Sequence, residues 1–200
     1  MHFPPPSDPP FPAALPSGSL EVICGPMFSG KTEELLRRAK RARLARQKVQ
    51  LFKPRVDDRY DAEKVVTHAG ENADARPLAR ADELAGWLAV DTQVVGIDEV
   101  QFFGDDIVDV ALHLADRGLR VIVAGLDQDY RARPFGPVPR LLAVAEYVTK
   151  LHAVCARCGG PACRSQRLVS SETQLFVGGT AEYEARCRRC FHPEPVPPSP

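Results

Sequence analysis

These 200 residues carry no excess charge of either sign, because 26 lysines and arginines are matched by 26 aspartates and glutamates. A neutral chain has no overall positive field to hold a nucleic acid backbone by counterion release, so a small, discrete ligand is expected and a nucleic acid partner is not. No run of about 18 apolar residues occurs, which excludes an ordinary membrane-spanning helix. The amino terminus also lacks a basic start followed by an apolar segment, so the chain reads as soluble and cytoplasmic, with no membrane partner. No internal repeat is visible. The length suits one core of ordinary size plus a small appendage and leaves no room for a further large lobe.

Proline is dense over Met1–Ser17 and again near Pro200, so residues 1–17 and 193–200 are expected to be extended, solvated tails. Between them the pattern alternates. Short apolar runs at Leu20–Cys24, Val49–Lys53, Val94–Ile97, Arg120–Ala124 and Tyr147–Leu151 read as strands. Helices are expected at Lys31–Gln47, Asp82–Ala89, Asp105–Arg117 and Pro139–Glu146. This order predicts an α/β fold over 18–151, with a mostly parallel sheet joined by right-handed crossovers and covered on both faces. In the first helix Arg37, Arg38, Lys40, Arg41, Arg43 and Arg46 spread around the circumference and read as a solvated surface. Leu35, Ala39 and Ala42 form a narrow buried stripe.

Gly25-Pro26-Met27-Phe28-Ser29-Gly30-Lys31-Thr32 fits G-x-x-x-x-G-K-[ST] at every fixed position, between a strand and a helix as the motif requires. Glycines let backbone N–H groups wrap phosphates, the helix start adds its positive dipole end, Lys31 neutralises phosphate charge and Thr32 can hold magnesium. Asp98 and Glu99 end another strand at the same sheet edge. There the aspartate can bind magnesium and the glutamate can accept a proton from an attacking hydroxyl or water. A phosphate loop with a strand-end acidic pair also serves nucleic-acid-stimulated ATPases. The neutral charge and the missing second lobe count against that alternative.

After Leu151 no long apolar period continues. Residues 152–192 instead carry Cys155-x-x-Cys158 and Cys187-x-x-Cys190, two pairs spaced to give four thiolates to one structural, tetrahedral zinc. The long stretch between the pairs suggests a functional loop hung on the metal site. Cys24 and Cys163 lie outside the pairs and read as packing residues, and His152 and His192 as bystanders.

The motifs GPMFSGKT at Gly25, DDRY at Asp57, DEVQFF at Asp98, AGLDQDYRARPFG at Ala124, the two cysteine pairs and VGGTAEYEARC at Val177 together resemble the thymidine kinase family of bacteria and the animal cytosol. The resemblance runs from about Gly18 to Phe191. It implies a P-loop α/β domain with a zinc-bound lasso, and transfer of the ATP γ-phosphate to the 5′-hydroxyl of thymidine, with deoxyuridine as a weaker acceptor. By the same resemblance Glu99 is the general base and Arg59 orients the reacting groups. Asp98 and Thr32 serve Mg2+, while Gly25 through Thr32 and Asp98, Glu99, Val100 and Gln101 contact ATP. Thymidine would meet Met27, Arg59, Phe102, Leu126, Tyr130, Phe135, Ser165, Arg167 and Tyr183, with lasso backbone at Phe176, Val177, Gly178 and Gly179. Without the resemblance Phe102, Phe103 and Phe135 read as core. Tyr130 stands where phenylalanine is common and Ser165 where threonine also occurs. The family further implies a homotetramer inhibited by dTTP.

Overall fold

β-Branched and leucine-rich runs of four to six residues mark where the chain passes through the middle of a sheet, buried on both faces. A computed structural model describes residues 18–55, 64–66, 72–169 and 182–193. In it β1 (Ser19–Cys24), β2 (Val49–Pro54), β5 (Arg76–Leu78), β6 (Val94–Ile97), β7 (Arg120–Gly125) and β8 (Tyr147–Lys150) form one sheet in the order β5-β2-β6-β7-β1-β8. Every neighbouring pair in it is parallel. Because β7 lies between β1 and β6, the ends of three strands converge on one edge. That edge carries the Gly25 loop, Asp98-Glu99 and Leu126.

Alternate residues of the strands feed two cores. Leu20, Val22, Val121 and Val123 meet α3 (Asp106–Asp116), α4 (Val138–Val144) and α2 (Glu83–Trp87) on one face, through Ile107, Val108, Ala111, Leu114, Leu141 and Leu84. Ile23 and Ile122 meet α1 (Lys31–Leu44) on the other, through Leu35 and Ala42. Each large apolar side chain so buried contributes about 1.5–3 kcal/mol. The expected cover on both faces is incomplete at the edge strand β8, where Tyr147 and Val148 are exposed. All four helices are also shorter than the sequence suggested, α3 by one residue at each end. The edge strand β5 was not anticipated.

One basic residue departs from the solvated surface expected of α1. Arg38 is buried, and its guanidinium donates to Glu21 at 2.7 Å, Glu34 at 2.7 Å and Thr149 Oγ1 at 2.9 Å. Glu21, inward on β1, also receives Arg120 at 2.5 Å. Periodicity put Arg38 outside, but a buried acid on the adjacent strand compensates its charge. Removing one partner of such a pair leaves the other charged and enclosed. Glu21→Ala should therefore cost about 3 kcal/mol of unfolding free energy in a urea titration. A loss within about 0.5 kcal/mol, the range of surface substitutions, would contradict this account.

Beyond Lys150 the strands are short. β9 (Ala153–Val154) pairs antiparallel with β10 (Pro161–Ala162), and β11 (Arg164–Arg167) with β12 (Tyr183–Arg186). A further hairpin, β3 (Lys64–Val66) with β4 (Asn72–Asp74), lies between β2 and β5. Among the described residues no helix is long and apolar enough to cross a membrane. The proline-rich segment 1–17, most of the second tail, Arg59 with its DDRY segment, and Phe176 to Gly179 fall outside the described residues.

Candidate active site

The turn out of β1 has a geometry that restricts two of its positions to glycine. Gly25 has φ 145°, and a Cβ there would stand 2.5 Å from the Leu151 carbonyl oxygen; Gly30, at φ 83°, caps α1 in the left-handed region. Phe28 shares that region at φ 63° without a glycine's freedom, a strain of the kind that collects at functional sites. Lys31 Nζ and the Ser29 hydroxyl both donate to the Pro26 carbonyl at 2.8 Å, which folds the loop around its lysine. Enclosure lowers the Lys31 pKa from its usual value, while the carboxylates of Glu99, Asp98 and Asp127 act in the opposite sense.

Thr32 Oγ1 donates to Asp98 Oδ2 at 3.0 Å, joining the loop to the end of β6. Burial, and then the neighbouring Glu99 carboxylate, push the Asp98 carboxyl up to about 7. Two oxygen donors beside a carboxylate that pays to be charged suit a hard cation such as magnesium. Glu99 follows in the left-handed region at φ 50°, and its N–H donates to Asp98 Oδ1 at 3.0 Å. A single 3-10 turn, Val100–Phe102, then takes the chain back into the core, where Val100 and Phe103 are buried.

The loop after β7 closes on itself through Asp129, whose Oδ1 accepts the N–H groups of Arg131 at 2.8 Å and Arg133 at 2.9 Å. This places Phe135 against Phe102, ring edge to ring face, with centroids 5.9 Å apart. Both rings are half-buried, whereas Phe103 belongs to the core. Tyr130, Arg167 and Tyr183, expected together, do come together. The Arg167 guanidinium lies 3.6 Å over the Tyr130 ring and donates to Tyr183 Oη at 3.2 and 3.1 Å. The hydroxyl of Ser165, also on β11, accepts the Met27 N–H at 3.0 Å. The phosphate loop and the cysteine-anchored strands therefore touch directly.

Asp127, Asp129 and Gln101 were not recognised from the sequence as structural partners in this site. Asp127 is buried and salt-bridged to Lys150 at 2.6 Å, and it adds to the burial that pushes the Cys24 thiol up to about 11. The only signal was their presence inside quoted motifs, which does not reveal what each side chain meets.

Cys155, Cys158, Cys187 and Cys190 place their four sulfurs within 4.8 Å of one another. Each pair turns as a knuckle, with Gly159 N–H donating to Cys155 O at 2.9 Å and Cys190 N–H to Cys187 O at 3.2 Å. A tetrahedron with zinc–sulfur bonds of about 2.3 Å has edges of about 3.8 Å. The Cys158 and Cys187 sulfurs are 3.7 Å apart. Backbone N–H donation, led by Cys187, draws the Cys155 thiol down to about 6, while a side-chain hydrogen bond with Cys187 and then burial hold Cys190 up at about 12. The donor set fits a structural zinc, whose charge would favour the thiolate form of all four.

A family model described as thymidine kinase matches residues 18–191. The chain belongs to the thymidine kinase family. Among relatives, it is 56% identical over 176 residues to a thymidine kinase of Rhodothermus sp. (strain ITI 518), covering 88% of this chain and 82% of that protein. It is 54% identical over 177 residues to one from Bdellovibrio bacteriovorus, covering 88% and 87% respectively. Membership in the thymidine kinase family makes the chain a phosphotransferase acting on thymidine, with ATP and a divalent metal implied by the family. The alternative of a nucleic-acid-stimulated ATPase finds no support.

Proposed function

We propose that the chain moves the γ-phosphate of ATP to the 5′-hydroxyl of thymidine with Glu99 as general base. The observation that carries this is the contact of Ser165 with the Met27 N–H, because it sets the acceptor-binding strands against the loop that would hold the donor. Lys31 and the loop N–H groups would cradle the phosphates. Thr32 and Asp98 would hold a magnesium ion, which when bound neutralises charge on the phosphoryl group. Glu99 takes the hydroxyl proton as the O5′–P bond forms. The bond from phosphorus to the bridging oxygen breaks, and its electron pair stays on ADP. Arg59, by family resemblance, would orient the hydroxyl.

The half-buried rings of Phe102 and Phe135, packed edge to face, would supply two apolar walls for the base, with Leu126 and Met27 completing the niche by family resemblance. Ser165, Arg167 and Tyr183 would line the side formed by β11 and β12, with Tyr130 stacked on Arg167. The backbone of Phe176 to Gly179 would read the pyrimidine edge. Residues 152–192 act in this reading as a zinc-held lasso on the 18–151 nucleotide-binding domain. A cytoplasmic homotetramer inhibited by dTTP completes it, and for that the support is family membership alone.

A panel of nucleosides incubated with ATP tests the assignment. Thymidine is expected to give dTMP, deoxyuridine about tenfold less efficiently through loss of one methyl contact, and purine nucleosides no product. Thymidine-independent ATP loss at the same rate as with thymidine would refute it.

A further inference from the structure

The family resemblance groups Gln101 with the residues that contact ATP, yet its amide is committed elsewhere. The side chain is only 3% exposed. Its Nε2 donates to Glu99 Oε2 at 2.5 Å, and its Oε1 accepts the Leu126 N–H at 3.0 Å. This polarity is forced, since the reversed amide would set an oxygen against the carboxylate and an N–H against an N–H. Two surrounding backbones come close enough to require glycine. A Cβ on Gly125 would stand 2.6 Å from Gln101 Oε1, and one on Gly136 would stand 2.5 Å from the Gln101 carbonyl oxygen. The end of β7 and the end of the Asp129 loop are therefore both shaped around this one residue.

We propose that Gln101 is a positioning residue: its single amide holds one oxygen of Glu99 and the backbone of Leu126, tying the base to the wall of the nucleoside pocket. This rests on the reading of Glu99 as base. Glu99 is held in a strained left-handed conformation, and a glutamate there has three side-chain torsions to lose. A charge-assisted bond to Oε2 fixes the carboxylate and leaves Oε1 to take the proton. Phe102, the next residue, packs on Phe135, so one short turn sets the base and one ring of the pocket together.

Three variants separate the possibilities, each compared with wild type in thermal melting temperature, kcat and the KM of both substrates. Gln101→Glu keeps an acceptor for the Leu126 N–H but sets a carboxylate against Glu99. Its kcat is expected to fall about 30- to 100-fold with thymidine KM within about twofold of wild type. Gln101→Met loses both bonds, and its kcat should fall comparably while thymidine KM rises about fivefold. The ATP KM should stay unchanged in both. A Gln101→Glu kcat within about threefold of wild type, beside an inactive Glu99→Gln, overturns the positioning role alone. A rise in both KM values together with a lowered melting temperature in Gln101→Glu overturns it too, since that is general loosening. Wild-type turnover in Glu99→Gln removes the base assignment and the proposal with it.

Discussion

Glu99→Gln is expected to lower kcat by about 10²–10⁴-fold while the KM values for ATP and thymidine stay near those of wild type. The amide has almost the shape of the carboxylate but cannot take the hydroxyl proton. The loss does not reach the full catalytic factor, because phosphoryl transfer depends mainly on positioning and charge neutralisation, and Lys31, Thr32 and Asp98 are untouched. Single-turnover measurements of dTMP formation, with enzyme in excess over thymidine, isolate this step from product release. The structure adds a reason for the size of the effect. Glu99 occupies a left-handed conformation at φ 50° that an ordinary side chain avoids, and its N–H is tied to Asp98 at 3.0 Å. A residue held at such cost is better explained by chemistry than by packing. A kcat within about fivefold of wild type would mean that the proton leaves by another route, and Glu99 would then be a structural acid.

The nucleotide side of the site was legible in the sequence because its residues are close along the chain. Gly25 to Thr32 form one local segment whose glycines and lysine have fixed spacing, and Asp98 and Glu99 end an apolar run that reads as an inner strand. Five of the six sheet strands and the apolar face of α3 follow from similar local periodicity. The three-residue β5 does not, since a proline at its centre reads as a break and is tolerated only because the strand lies at the sheet edge. Arg38 misleads in the opposite direction, because its burial depends on Glu21, 17 residues away on another element. Gln101 is similar: no periodic pattern shows that a glutamine spans from Glu99 to a backbone N–H 25 residues further on. Cysteine spacing announced the metal site but not the pairing of β11 with β12, whose four-residue strands carry no period long enough to detect.

That strand pairing determines what losing the metal should do. One zinc per chain is expected in freshly purified protein, and chelation or Cys187→Ser should remove most of it. Cys187 directly follows β12, which is paired with β11 in the register Ser165 to Ala185 and Arg167 to Tyr183. With the sulfurs no longer held, β12 loses its anchor and β11 loses its partner. Ser165 then withdraws from the Met27 N–H, and the contact of Arg167 with Tyr130 and Tyr183 loosens. The thymidine KM should rise by about 10- to 100-fold. ATP binding should change little, because the phosphate loop is carried by β1 and α1, whose packing lies in the sheet. This asymmetry distinguishes a metal that builds the acceptor pocket from one that merely stabilises the whole chain, for which both affinities and the melting temperature would fall together. Metal analysis alongside the two KM measurements decides the matter. Protein retaining less than about a tenth of an equivalent of zinc, with an unchanged thymidine KM, would show that β11 and β12 hold the pocket without it.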